Sequence, residues 1–335
     1  MSQSRNWNID LTKSLAMILV VMQHAWSMLG LDDSSWGLVC SSYKSISTLG
    51  VTLFIFVSGA LLLSHKSESE SLFSFYIKRF RRLLIPFVFL AAVAYIASLF
   101  SGTYEWWDGS LQMALIQFIP ALLENQINEF HWFVHMLFVL YLFTPILQRA
   151  LNALKQQDVE FLLLIWLIGM LLKQYYPAMM FSRYLPPLWI HLGIYVAGYY
   201  VYNYCKGGKF LKVGVIIFIL LCILNISTNC AIDATRHLAT IFLGMMCLNI
   251  SFKDDVQQSI FGKVTINISR YSYTTYLLHI LFIRVIYMLT ESYFSSALIV
   301  WIPLLITPFV VLVFYVGCRI YDKIKWLPNN LVGIG

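Results

Sequence analysis

Charged residues are scarce in this chain. Lysine, arginine, aspartate and glutamate make up only 12% of its 335 residues, whereas hydrophobic residues make up 59% and the mean hydropathy is +0.73. A water-soluble domain of this length carries far more charge, so the composition excludes that class. The six cysteines include no Cys-x-x-Cys pair, so neither a thiol metal site nor a disulfide framework is indicated. We expect these cysteines to act as small hydrophobic residues.

The net charge of +7 does not indicate nucleic-acid binding. Its lysines and arginines fall in short clusters between apolar segments, which is the pattern that orients membrane proteins. We therefore expect the chain to lie in a lipid bilayer and not to bind nucleic acid.

Ten apolar segments, each near the roughly 20 residues that a bilayer requires, predict an all-α polytopic membrane protein. They cover about residues 14–31, 46–64, 83–101, 130–147, 160–175, 187–204, 212–228, 236–252, 271–290 and 296–318. With a cytoplasmic N-terminus, most of the 23 basic residues lie on the inner side, so both termini are predicted to be cytoplasmic. Asp10 precedes the first segment, and we expect no cleaved signal peptide. No soluble region is left over, so residues 1–335 are interpreted as one membrane domain.

A histidine lies inside the first apolar segment. His24 follows Lys13 by eleven residues, which returns it to within about 20° of the same helix face, about 16 Å further along the axis. An ionisable side chain within a membrane is costly, and His24 is therefore a candidate functional residue. The alternative is a structural hydrogen bond between helices.

A basic run, Lys78-Arg79-Phe80-Arg81-Arg82, precedes the third segment on the predicted inner side. Guanidinium groups suit phosphate because their planar fork can donate two parallel hydrogen bonds. The run is thus either a binding site for a phosphorylated ligand or a stop-transfer anchor that follows the inside bias.

Other polar residues within the segments have competing interpretations. Ser58-Gly59 favours a close contact between helices. His131 and His135 lie one turn apart, as zinc ligands can, but the chain supplies no nearby third ligand. An interfacial position among aromatic residues explains them equally well.

Ser272, Tyr276 and His279 form a polar stripe in the ninth segment, because residues three and four apart share a helix face. Such a stripe is expected to face the protein interior and not lipid. In the outer connection, residues 102–129 contain an apolar run that predicts an interfacial helix. The aromatic stretch from Trp106 to Trp132 offers a surface on which a sugar can pack.

The ordered motifs of this chain resemble the integral membrane acyltransferase 3 family, in its short form. They are Asp10-x-x-Lys13 with ten residues before His24, Phe54-x-Phe-x-Ser58-Gly59, the basic run closing on Leu83-Leu-x-Pro86, His131-Trp132-Phe133, Tyr141-Leu-Phe-Thr-Pro145, Ala197-Gly198-Tyr199-Tyr200 and Ser272-Tyr-x-x-Tyr276-Leu-x-His279. Two departures stand out. The family's usual Arg-Gly pair is Lys13-Ser14 here, and no residue separates His131 from Trp132.

The resemblance implies a membrane-bound O-acyltransferase in a bacterial cytoplasmic (inner) membrane. Such an enzyme transfers an acyl group, usually acetyl, from cytoplasmic acyl-CoA to a hydroxyl of a surface polysaccharide or its lipid-linked precursor. No permanently bound cofactor or metal is implied. The implied catalytic candidates are His24, Lys13, Asp10, Tyr276, His279 and Ser58, and the implied coenzyme-binding residues are Lys13, Lys78, Arg79, Arg81 and Arg82.

Two other functions remain open at this point. A transporter or exporter of a glycan intermediate would share the helices and the basic inner face, but the two halves of the chain show no convincing repeat. An inactive scaffold in a polysaccharide assembly complex is the third interpretation.

Overall fold

Helices form all the regular secondary structure in the part of the chain that the computed structural model describes, which is residues 6–28, 33–64, 71–100, 104, 107, 109–179, 187–290, 301–324 and 328–333. The α-helices are α1 Trp7–Ser27, α2 Asp33–Ser47, α3 Leu49–Leu62, α4 Leu72–Phe100, α5 Leu111–Leu123, α6 Trp132–Ala153, α7 Gln156–Tyr175, α8 Pro187–Tyr204, α9 Gly208–Ser227, α10 Asp233–Asn249, α11 Asp254–Gln258, α12 Ile260–Thr290 and α13 Ile302–Asp322. Short 3-10 helices cover Glu129–His131 and Asn329–Leu331.

A helix is present at each of the ten predicted apolar segments. Among the described residues, six helical stretches are long and apolar enough to cross a membrane: Gly37–Leu62, Leu72–Phe100, Trp132–Ala153, Gly208–Ser227, Ile260–Leu289 and Ile302–Asp322. These helices confirm the prediction of an all-helical chain with the character of a multi-pass membrane protein, whereas the ten spans and the cytoplasmic termini stay predictions.

Apolar side chains cover the periphery of the bundle. Only 11% of the most apolar window of α9 and 28% of that of α13 is buried, against 61% for Gly37–Leu62. An outward apolar surface of this extent is incompatible with water and suits lipid. The central position belongs instead to α1, which packs against α3, α12 and α13.

Helix α5 has the length of an interfacial element. Its 13 residues, Leu111–Leu123, extend about 20 Å, which is too short for a hydrocarbon core of about 30 Å. Leu111, Leu115 and Leu123 are exposed, whereas Ala114 and Ala121 are buried. Trp106, which begins the predicted aromatic stretch, lies outside the described residues.

Small residues hold α3 and α8 close together, as the Ser58-Gly59 pattern predicts. A Cβ atom on Gly59 would lie 1.8 Å from the Tyr195 carbonyl oxygen, and one on Gly198 would lie 1.9 Å from the Phe56 carbonyl oxygen. The two backbones thus touch at both glycines, and neither position has room for a side chain.

All six cysteines are free, and five of them are buried. Cys205 follows the end of α8, where burial and the nearby Glu160 carboxylate raise the pKa of its thiol to about 11. A thiol of this kind stays protonated and unreactive at neutral pH.

The glycine contact gives the first prediction. Gly198→Ala should lower the free energy of unfolding by about 1–3 kcal/mol, because the new methyl group overpacks the α3–α8 contact. Gly317→Ala is the matched control, since nothing lies within 4 Å of a Cβ there and alanine favours a helix by about 1 kcal/mol over glycine. Thermal unfolding in detergent measures both variants. Equal unfolding midpoints for the two variants would contradict the close contact.

Candidate functional site

One arginine of the basic run, Arg79, lies on the inward face of α4. Phe75, Leu83 and Phe87 are buried, and Arg79 lies on their face because residues four apart on a helix are neighbours. The Arg79 guanidinium lies 4.9 Å from the centre of the Phe75 ring, and its Nε atom is buried. Lys78, Arg81 and Arg82 are exposed.

Arg79 faces a group of hydroxyl side chains that we call the arginine end: Ser58, Tyr141, Thr144 and Tyr195. Its charge acts on both Tyr141 and Tyr195. Tyr141 shares a hydrogen bond with Ser58, and the Tyr195 hydroxyl lies 2.8 Å from the Thr144 hydroxyl. Four helices, α3, α4, α6 and α8, therefore meet at this one cation.

Two tyrosines on α12 continue the polar path away from Arg79. The Tyr273 hydroxyl donates a hydrogen bond of 2.8 Å to the Leu83 carbonyl oxygen, and Tyr273 interacts with both Tyr141 and Tyr276. The Tyr276 hydroxyl donates to the Phe130 carbonyl oxygen. This pairing fixes the start of α6 against α12.

Beyond Tyr276 lies a cluster of imidazoles, the histidine end, formed by His24, His131 and His279. The ring centre of His24 is 4.0 Å from that of Phe130 and 5.1 Å from that of His279. His131 shares a hydrogen bond with the Leu277 backbone and interacts with His279. Three helical elements that are distant in sequence thus bring their histidines together.

The backbone fixes the tautomer of His279. Its Nδ1 atom lies 2.7 Å from the Tyr276 carbonyl oxygen and 3.2 Å from that of Thr275. A carbonyl only accepts, so Nδ1 carries the hydrogen and Nε2 keeps a free electron pair. That Nε2 atom and the Nδ1 atom of His24 are buried, and neither has a hydrogen-bond partner among the described residues. Both nitrogens therefore keep unused hydrogen-bonding capacity inside the bundle.

The two ends lie well apart along the helices. Eight residues of α4 separate Arg79 from Phe87, whose ring packs 5.2 Å from that of His131, and this spacing corresponds to about 12 Å. Ten residues separate Tyr141 from His131, which corresponds to about 15 Å. A ligand that touches both ends must therefore be long and thin.

The structure divides the predicted catalytic residues between different places. Tyr276 and His279 lie with His24, as the polar stripe predicts, whereas Ser58 lies at the arginine end. Asp10 is buried at the other end of α1, where it accepts a hydrogen bond of 2.6 Å from Ser269. Lys13 is in the same part of α1, about 16 Å along the axis from His24.

Apart from Ser58, sequence reasoning assigned no role to the hydroxyl groups that face Arg79. Tyr141 and Thr144 are three residues apart, and Tyr195 lies about one helical turn before Gly198. Polar residues at that spacing in apolar segments were a usable signal of an interior face. Within the described ranges, no three His, Cys, Asp or Glu side chains gather as they would around a metal ion.

Comparison with known proteins identifies a family. A family model described as an acyltransferase domain matches residues 6–321, which includes both ends of the polar path. No curated protein sequence and no solved structure matches the chain.

Proposed function

Because this chain belongs to the acyltransferase 3 family, we propose that it transfers an acetyl group from acetyl-CoA to a hydroxyl of a bacterial cell-surface polysaccharide or its lipid-linked precursor. The observation that supports this most directly is the polar path that joins an inward arginine to a buried pair of imidazoles. A coenzyme A thioester has the matching build, with phosphates at one end, a thin arm and a reactive carbonyl at the other.

The donor binds at the arginine end in this proposal. Arg79 contacts the phosphates from inside the bundle, while Lys78, Arg81 and Arg82 add positive charge at the exposed mouth, and Lys13 assists them. Paired donors on a guanidinium match phosphate oxygens. We place this end at the cytoplasmic face of the inner membrane, where acyl-CoA is available, with both chain termini on the same side.

The transfer itself takes place at the histidine end. His24 acts as general base and takes the proton of the acceptor hydroxyl while that oxygen bonds to the thioester carbon. The tetrahedral intermediate then collapses, the carbon–sulfur bond breaks, and the returned proton leaves with coenzyme A as the thiol. The products are an ester and free coenzyme A.

His279 supports the base in this proposal. Its Nε2 atom has an electron pair to accept a hydrogen bond, because Nδ1–H is committed to the Tyr276 carbonyl oxygen. It can therefore orient either the His24 imidazole or the acceptor hydroxyl. Tyr276 acts indirectly, since its hydroxyl is occupied by the Phe130 carbonyl oxygen, and Asp10 acts by positioning α1 through Ser269.

Replacement of the base tests the reaction. His24→Ala should reduce acetyl-CoA-dependent transfer to cell-envelope glycan by about 10²- to 10⁴-fold, the usual contribution of a general base. Release of free coenzyme A by the purified protein in detergent measures the rate. His135→Ala is the control, because this histidine of α6 packs against Phe87 of α4 and is not one of the paired imidazoles of His24 and His279. A native chain that neither binds nor cleaves acetyl-CoA would contradict the proposal and favour transport of a glycan intermediate.

The inward position of Arg79 and the exposed position of Arg82 give a second test. Arg79→Gln should raise KM for acetyl-CoA by about 10- to 100-fold, since a hydrogen bond to a charged group contributes about 1.5–3 kcal/mol. Arg82→Gln should raise it no more than about fivefold, because exposed ion pairs contribute about 0–1 kcal/mol. Steady-state kinetics at a fixed glycan concentration separates the two variants. An equal effect of both would show that the inward position of Arg79 has no role in donor binding.

A further inference from the structure

A second polar cluster lies where α6, α8 and α10 meet. It consists of Trp132, His191, Arg236 and His237, and we call it the Trp132 cluster. The rings of Trp132 and His191 have centres 5.8 Å apart and planes inclined by 30°. His237 lies close enough to both His191 and Arg236 to interact with them. None of these residues belongs to the polar path between Arg79 and His24.

Three polar atoms of the Trp132 cluster lack hydrogen-bond partners in the described part of the chain. They are Nδ1 of His191, Nδ1 of His237 and Nε of Arg236, and all three are buried. Burial without a partner costs stability, so such groups are retained where they serve something other than folding. Three of them in one place, on two helices, indicate a bound molecule with several hydroxyl groups.

The charge of the cluster indicates whether the ligand is charged. Arg236 forms an ion pair with Asp233 one turn earlier on α10, so its positive charge is already balanced. The remaining donors and acceptors belong to imidazoles. The cluster therefore favours an uncharged polar ligand over an anion.

Trp132 supplies an apolar surface beside these polar atoms. Trp132 is 41% exposed, so its indole can be reached by a ligand. The C–H face of a pyranose ring packs on an indole while the ring hydroxyls extend sideways, which matches an aromatic body flanked by hydrogen-bonding groups.

The Trp132 cluster also adjoins the reaction centre. Trp132 follows His131 directly, with about 3.8 Å between their Cα atoms, and His131 is part of the histidine end. On α8, His191 lies one turn from Tyr195 in the direction away from Arg79. A molecule on Trp132 is thus at the same end of the bundle as the histidine end and remote from the arginine end.

We infer that the Trp132 cluster is the acceptor subsite and that it holds an uncharged pyranose by packing on Trp132 and by hydrogen bonds to His191, His237 and Arg236. This inference rests on the proposed acyl transfer. It adds that donor and acceptor approach the histidines from opposite ends of the path.

Kinetics with defined sugars tests the inference. The purified protein receives saturating radiolabelled acetyl-CoA and either methyl glucopyranoside, methyl N-acetylglucosaminide or methyl glucuronide. Trp132→Ala and His191→Ala should each raise KM for the uncharged pyranosides by about 5- to 100-fold, as expected for loss of a buried partner, with KM for acetyl-CoA changed less than twofold. Trp132→Phe should recover most of the affinity because it keeps an aromatic face.

Trp301→Ala is the matched control, since Trp301 precedes α13 and is 59% exposed. Its KM for the pyranosides should stay within twofold of the native value. Equal effects of Trp132→Ala and Trp301→Ala would overturn the inference, and so would a preference of more than tenfold for the glucuronide. A native protein that binds acetyl-CoA and acylates none of the pyranosides would also overturn it. Failure to bind acetyl-CoA at all would instead overturn the proposed function.

Discussion

The polar contact between α1 and α12 is the constraint on which the proposed reaction centre depends. Asp10 and Ser14 are buried near the start of α1, where Asp10 accepts from Ser269 and the Ser14 hydroxyl donates 2.6 Å to the Thr265 carbonyl oxygen. Apolar helices in lipid have no hydrophobic force that fixes their register, so directional bonds between polar groups must do so. This register places His24 beside His279. A shift of one residue on α1 would turn the imidazole by about 100° away from its partner.

The glycine contact between α3 and α8 has the same role at the other end of the path. Close approach of the two backbones at Gly59 and Gly198 leaves Ser58 and Tyr195 in the space beside Arg79. The two contacts together hold the Arg79 guanidinium and the imidazoles of His24 and His279 at a fixed separation. Helix packing places these side chains, and rigid elements hold a site more precisely than loops do.

Local sequence patterns predict much of this arrangement of helices and polar side chains. Helix positions follow from apolar segments of membrane length, and the stripe of Tyr276 and His279 follows from helical spacing. The pattern did not separate Arg79 from Arg81 and Arg82, because the inward face of α4 is decided by the neighbours that cover it. The partner of Asp10 was equally out of reach, since Ser269 is 259 residues away and nothing local marks the pair. Long-range contacts of this kind also explain why the sequence marked Trp132 as part of an aromatic stretch but did not connect it with His191, Arg236 and His237, which lie on other helices.

The central claim is that one elongated donor spans the path from Arg79 to the histidines. A cryo-EM structure of the protein with a non-hydrolysable acetyl-CoA analogue tests it most directly. The account predicts density for the phosphates at Arg79 and for the carbonyl group beside His24 Nδ1 and His279 Nε2. Density that places the carbonyl away from both imidazoles, with the phosphates remote from Arg79, would contradict the account.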